Sequence, residues 1–316
     1  MADDKYKFIT RADFDGVVCG GLLIEKDMIG EIAFAEPKKM QDGQVAVTSN
    51  DITANLPYVD GVHLCFDHHY SETIRVGEKD NLIIDPNSPS AARVIYDYYG
   101  GELEFPGISP ELMAAVDKAD SADFSEMDIL APEGWVLVNF ILDPRTGLGR
   151  FGHFSISNEQ LMKDMMVYCR HHPVGEIMKI PDVVERLHLY MEHEEYFEMQ
   201  IRKCSKLYDK LVIVDLRDEE IIYAGNRFTV YAIFPECNIS IQITHSQDGG
   251  QTVFATGKSI LERTSKTNIG GLMLEYGGGG HVAAGTCRID NDKAAGVLKE
   301  LVSRINADGA TRRPGS

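Results

Sequence analysis

The chain reads as an α/β protein of two domains, and three observations carry that expectation. Short apolar runs alternate with amphipathic helical patterns through the first half, as they do in a parallel sheet with crossover helices. A long, charged helical stretch near the middle interrupts the pattern, and strand-rich composition follows it. The length, 316 residues, is about twice what one domain ordinarily holds. Hydrophobic residues at 44% and charged residues at 25% are those of an ordinary globular chain, which excludes disordered, collagen-like and coiled-coil classes.

Taken in order, Tyr6–Thr10 has the composition of a buried strand and Val17–Ile29 that of the helix after it. Glu31–Ala35, Gln44–Thr48 and Val62–Phe66 are the next expected strands. Ser90–Tyr99 and Ser109–Ala119 read as helices, each opened by a Ser able to cap the first turn. Asp143–His153 is rich in turn residues and reads as a loop. From Pro181 to Tyr208, Val183, Leu187, Tyr190, Phe197, Ile201, Cys204 and Tyr208 recur at spacings of three, four or seven. Glu192, Glu194, Glu195 and Glu198 lie between them, so the stretch predicts one amphipathic helix with Pro in its first turn.

Beyond it, Leu211–Leu216, Phe228–Phe234, Ile239–His245 and Thr252–Thr256 carry strand composition. A helix over Asn268–Tyr276, a strand over Gly285–Ile289 and a helix over Lys293–Ile305 complete a smaller α+β domain. The expected boundaries are therefore 1–180, a connector helix at 181–209, a second domain at 210–306 and a tail at 307–316. The tail, ADGATRRPGS, is polar and breaker-rich and is expected to be disordered or partly a cloning remnant. No internal repeat is visible.

With 31 Lys plus Arg against 49 Asp plus Glu, the formal net charge is −18. That argues against a broad basic face for long nucleic acid, because such binding runs on released counterions. A small phosphorylated substrate stays open, since carboxylates can hold cations that bring the positive charge. The N-terminus, MADDKYKFIT, lacks the apolar stretch of a signal peptide, and no run of about 18 apolar residues occurs. Six cysteines without CxxC spacing fit reduced thiols, so the expectation is a cytoplasmic protein without a membrane partner.

The acidic residues fall into clusters at expected strand ends, the edge where open α/β sheets place their sites. Asp13 and Asp15, with Gly16 beside them, follow the first strand; the pair can face one hard cation or two, or Asp15 can simply cap a helix. Asp67, His68 and His69 follow the strand at Val62–Phe66. An Asp with an imidazole suits a borderline metal such as Mn²⁺, and a second imidazole can protonate a leaving group. Asp117 and Asp120 close a helix, where carboxylates oppose the macrodipole and are expected only if solvated or holding a cation. Asp51, beside Asn50, is a further candidate. Far along the chain, Gly277–Gly280 precede His281. Such a run frees backbone N–H groups for an anion, although a flexible turn explains it equally well. Lys258, Ser259 and Arg263 either line the same anion pocket or form a solvated basic stretch.

Together these residues resemble the DHH phosphoesterase superfamily with its DHH-associated C-terminal domain. The resemblance rests on DxDG (Asp13, Asp15, Gly16), DHH (Asp67, His68, His69), an Asp after a helix (Asp117 or Asp120) and GGGGHxxAAG (Gly277–Gly285), and spans about residues 6 to 306. It implies a parallel-sheet N-terminal DHH domain joined by the long helix to a smaller α+β domain, with an active-site cleft between them. It also implies a metal-dependent hydrolase of phosphodiester or phosphoanhydride bonds using Mn²⁺ or Mg²⁺, one or two ions. Asp15, Asp51 or Asn50, Asp67, His68 and Asp117 or Asp120 would be metal ligands, and Asp13 would serve a neighbouring ion. Asp67 and His69 would act in catalysis, with His69 stabilising or protonating the leaving oxygen. Gly278, Gly279, Gly280 and His281, with Lys258 and Arg263, would grip the substrate.

Most members carry a His shortly before the DxD aspartates, whereas this chain has Ile9-Thr10-Arg11-Ala12. Arg11 either binds phosphate, replaces lost metal charge, or pairs with a neighbouring carboxylate. The expected activity is hydrolysis of a small nucleotide, short single-stranded oligonucleotide or polyphosphate, with the first two favoured by the charge. The rivals are an exopolyphosphatase and, outside the enzyme class, a phosphate- or nucleotide-binding regulator with a degenerate metal site. A homodimer is left open.

Overall fold

The computed structural model describes residues 5–310. In chain order the elements are β1 (Tyr6–Thr10), α1 (Phe14–Glu25), β2 (Ile29–Phe34), α2 (Pro37–Gln41), β3 (Asp51–Ala54), β4 (Leu64–Asp67), α3 (Tyr70–Val76), β5 (Leu82–Ile84), α4 (Ala91–Tyr98) and α5 (Pro110–Asp120). Then come α6 (Glu126–Leu130), α7 (Gly134–Leu142), α8 (Asn158–Tyr168), α9 (Val174–Ile177) and α10 (Pro181–Cys204). The last part contains β6 (Ser205–Tyr208), β7 (Leu211–Asp215), α11 (Thr229–Ile233), β8 (Ile239–His245), β9 (Gln251–Lys258), α12 (Ile269–Glu275), β10 (Gly279–His281), β11 (Ala284–Asp290) and α13 (Asn291–Ala310). The chain divides into two compact units, one of residues up to Asp123 with Pro132–Tyr190, the other of Phe124–Ala131 with Met191 onward. The division therefore falls inside α10.

The first unit is built on a five-stranded, all-parallel sheet in the order β2-β1-β3-β4-β5. That order reverses direction between β1 and β3, and the carboxyl edge of such a sheet opens a crevice at the reversal. Phe8, Ile9 and Thr10 of β1 are buried, and so is α1 from Phe14 to Leu23. Helix α1 packs against α4, α5 and α8. Its approach to α8 is close enough that a Cβ on Gly20 would strike Met166.

Gln44–Thr48 forms no strand, contrary to the expectation from its apolar run; the neighbour of β1 is β3, Asp51–Ala54. Val47 packs beside Met40 and Leu56, which uses its apolar side chain without a ladder. A turn closes at Asp51, whose N–H donates to the Thr48 carbonyl at 3.0 Å. Helix α10 also ends earlier than its apolar spacing predicts. Leu207 and Tyr208 belong instead to β6, which pairs antiparallel with β7 around Asp209 at φ 58°.

The second unit carries a six-stranded sheet, β10-β11-β9-β8-β7-β6, antiparallel except for the parallel pair β7–β8. Ile239, Ile241 and Ile243 alternate inward from β8 and meet Leu272 and Met273 of α12 and Leu301 and Ile305 of α13. Phe228–Phe234 is not a strand; its centre is the short helix α11. Tyr231 explains the override of its β-rich composition, since its hydroxyl bonds Gly257 O and Ser240 Oγ, each at 2.7 Å, and pins the turn to the sheet. Helix α13 continues to Ala310, through residues expected in the tail; 311–316 lie outside the described residues.

Candidate metal centre

Asp13 follows β1 and caps α1, accepting from Gly16 N at 3.0 Å through Oδ1. The cap is therefore Asp13, and Asp15 sits in the first turn. Gly16 is required here because an added Cβ would fall on the Arg11 carbonyl oxygen and 2.8 Å from Thr10 Oγ1. Asn55, the residue after β3, donates from Nδ2 to the same Asp13 Oδ1 at 3.0 Å. Arg11 Nε stands 3.0 Å from Asp13 Oδ2. The first aspartate of the motif is thus held by three donors of the protein itself.

Asp15 is buried and differently placed. It accepts from Ala92 N at 2.9 Å and Ala91 N at 3.1 Å, the first-turn donors of α4. Those N–H groups and the positive end of the helix favour its negative charge. The same turn is capped by Ser90, which accepts from Arg93 N at 3.0 Å. Asp117 fixes that cap: it accepts from Ser90 Oγ at 2.7 Å and from Arg93 Nε and Nη2 at 3.0 and 2.6 Å.

Asp67 ends β4, fully buried. Its Oδ1 accepts from His68 N at 2.9 Å and lies 2.6 Å from His69 Nδ1. His68 turns Nδ1 to the Ser88 carbonyl at 3.0 Å, which fixes a proton there and leaves Nε2 as the nitrogen offered to Asp120 or to a metal. That Nε2 lies 2.9 Å from Asp120 Oδ2, an ion-pair contact poorly aligned for a hydrogen bond. Asp15, His68 and Asp120 each place a ligand atom within 4.8 Å of the other two.

These residues suit a divalent cation. The set of two carboxylates and an imidazole is one that Mn²⁺ accepts. Among the described residues, Asp67 Oδ2, Asn55 Oδ1 and His68 Nε2 are buried without a hydrogen-bond partner, a rare and costly state unless something else binds them. The electrostatics agree. Burial pushes the Asp15 carboxyl well above its usual range, and the neighbouring Asp120 and Asp13 charges add to the shift. Burial raises Asp13 too, with Arg11 opposing. For His68, burial works against the charged ring, yet the contact and charge of Asp120, with Asp15, hold it up at about 9. Carboxylates that keep a proton on this ring would also hold a metal in its place.

The structure does not bring every expected residue here. Asp51 lies at the start of β3, beside Lys7 at the start of β1, so it faces the amino edge of the sheet, the end opposite Asp13 and Asp67. Its Oδ2 accepts from Thr48 N and Oγ1, at 2.5 and 2.9 Å. Asn50 stays at that edge as well, and Asn55 takes the position at the carboxyl edge. Asp117 is engaged by Ser90 and Arg93, while Asp120 joins His68. Arg145, from the loop after α7, was not singled out by the sequence. It pairs with Asp143 at 2.7 Å, and its charge also acts on Asp13 and Asp120.

Lys258, Arg263, Gly278, Gly279, Gly280 and His281 belong to the second unit. The glycine run is an ordered hairpin there, with β10 pairing antiparallel to β11 and His281 opposite Ala284. Gly280 adopts φ 152°, and a Cβ on it would strike Ala284 O.

No family model and no curated protein matches the chain. Solved structures do. The pGpG-specific phosphodiesterase PggH from Vibrio cholerae is 52% identical, with a TM-score of 0.84, covering 96% of this chain and 100% of that one. This chain belongs to the DHH phosphoesterase superfamily. RecJ from Thermus thermophilus, solved in complex with Mn²⁺, is 14% identical with a TM-score of 0.56, covering 96% of this chain and 52% of that one. CDC45 from Entamoeba histolytica is 8% identical with a TM-score of 0.51, covering 96% of each. These two establish the shared DHH fold alone. Among the described residues no helix is long and apolar enough to cross a membrane.

Proposed function

We propose that this chain is a divalent-metal phosphodiesterase that hydrolyses pGpG, a linear dinucleotide, to two molecules of GMP. The observation that carries the proposal is the 52% identity, over 96% of this chain and all of the other, to a phosphodiesterase specific for pGpG. The grouping of Asp15, His68 and Asp120 supports it as the place where the ion would bind, with Mn²⁺ preferred on the donor set. When bound, the ion supplies Lewis-acid charge to the phosphoryl oxygens.

The protein's own groups do the rest. Helix α4 presents Ala91 and Ala92 N–H groups that orient Asp15, and Ser88 orients His68. Asp67 holds His69 through Nδ1 and fixes the ring, which we assign to protonating the departing 3′ oxygen. Water adds to phosphorus as the P–O3′ bond breaks; His69 gives its proton to the leaving 3′ alcohol, and the proton shed by the water returns through solvent to His69. Arg11 and Arg145 bring positive charge to the same edge. Lys258, Arg263, Gly278–Gly280 and His281, in a second domain that we place at 210–306, are the proposed grip on the substrate. Six free cysteines, most of them buried, support a cytoplasmic setting.

A substrate panel with Mn²⁺ tests the proposal: pGpG, cyclic di-GMP, short RNA and polyphosphate, with products separated by ion-exchange chromatography. Rapid GMP release from pGpG is expected. Faster phosphate release from polyphosphate would move the chain to the exopolyphosphatases, and no turnover of any substrate would leave a binding protein.

A further inference from the structure

We infer that the centre holds a single divalent ion, on Asp15, His68 and Asp120, and that Arg11 and Asn55 occupy Asp13 in the way a second ion would. The inference rests on the metal dependence proposed above and specifies its stoichiometry.

Asp13 stands one residue from Asp15 and is the obvious carboxylate for a second ion. Its two oxygens offer about four acceptor positions. Three are taken, by Gly16 N, Asn55 Nδ2 and the Arg11 guanidinium, all at 3.0 Å. A dication approaching the remaining position would meet the positive charge of Arg11 at close range, with Arg145 acting on the same carboxylate. The residue that β3 presents to Asp13 is the neutral amide of Asn55, not a carboxylate. Asp51, the acid of that strand, is at the other edge.

The charges balance with one ion. Asp15 and Asp120 offset a dication bound with a neutral His68, while Arg11 offsets Asp13. The acceptors left over, Asp67 Oδ2 and Asn55 Oδ1, carry between them the charge of one carboxylate, too little for a second dication held against a guanidinium. Positive charge beyond the first ion then comes from Arg11 and Arg145, whose planar forks suit phosphate oxygens.

Titrating the metal-free chain with Mn²⁺, read by equilibrium dialysis with elemental analysis and by EPR, tests the stoichiometry without any activity measurement. The expected plateau is one ion per chain with the spectrum of an isolated Mn²⁺. A plateau of two, with the spectrum of a coupled pair, would overturn the inference and leave the metal-dependent enzyme standing. No binding at all would overturn the metal centre itself. The double variant Arg11→Gln, Asn55→Asp removes the cation and adds a carboxylate, so its plateau should rise toward two. A folded variant that stays at one ion would show that Arg11 and Asn55 are not what excludes the second. The wild-type plateau decides the count whether or not that variant folds.

Discussion

Asp117 and Asp120 lie one helical turn apart on α5, and replacing each with Ala should produce opposite phenotypes. Asp117→Ala removes the acceptor of Ser90 Oγ and of both Arg93 nitrogens. Breaking a fully buried pair costs about 3–5 kcal/mol, and an exposed pair about 0–1. The Asp117 side chain is 18% exposed and that of Arg93 25%, which places the loss between those limits, at about 2 kcal/mol. For a unit of this size that lowers Tm by about 4–8 °C. Activity should fall only modestly, through the loosened α4 cap that presents Ala91 and Ala92 to Asp15.

Asp120→Ala removes the pair with His68 but relieves a crowd of carboxylates around Asp15 and Asp13. The two effects oppose, so the metal-free chain should melt close to the wild-type temperature, while Mn²⁺ binding and pGpG turnover fall by at least about 10²-fold, as for loss of an interaction needed in the transition state. Differential scanning fluorimetry of metal-free protein, paired with GMP release, reads both effects. A destabilised but active Asp120→Ala beside a stable, inactive Asp117→Ala would refute the assignment.

Three further outcomes are expected. Gly16→Ala should cost at least about 1–3 kcal/mol in urea unfolding, because its Cβ meets the backbone of Arg11, not a movable side chain; wild-type stability would show that the DxDG turn yields freely. His69→Ala should lower kcat by about 10²–10⁴-fold while leaving Mn²⁺ content unchanged, and an unchanged kcat would remove it as the proton donor. The third concerns Glu72, buried in α3, which accepts from Tyr58 N and from Arg75 and anchors the segment after His69. Burial opposes its charge, but Arg75 and the Tyr58 N–H outweigh that and hold its carboxyl below the usual 4.5. A depressed folded-state value stabilises the fold above 4.5, and that contribution disappears as pH falls through the lower value. The gap in urea stability between wild type and Arg75→Met should therefore be wide at neutral pH and narrow in acid; a gap that does not change with pH would contradict this.

Much of the centre was legible because its parts are contiguous. Asp13, Asp15 and Gly16 follow an apolar strand, as Asp67, His68 and His69 do, and strand ends of a parallel sheet converge. The choice between Asp117 and Asp120 was not legible. Both lie on neighbouring faces of one helix, and only the distance to His68 separates them. Asn55 was hidden by the misplaced third strand: Gln44–Thr48 has an apolar run with β-branched ends, Val45-Ala46-Val47, whereas β3 is four residues with an acid at its head. Moving the strand moved its carboxyl end from Thr48 to Ala54 and exchanged a candidate aspartate for an amide. Arg145 sits in a turn-rich loop, where composition carries no sign of which side chain reaches a distant carboxylate. The strand β10 was unreadable for a related reason, since glycines have no side chains to show a strand pattern.

The most direct test compares GMP release from pGpG by the metal-free chain and by the same chain reconstituted with Mn²⁺. The reconstituted protein should yield two GMP for each pGpG consumed and the metal-free protein essentially none. Equal rates in the two samples, or no GMP from the reconstituted one, would contradict a metal-dependent pGpG phosphodiesterase built on Asp15, His68 and Asp120.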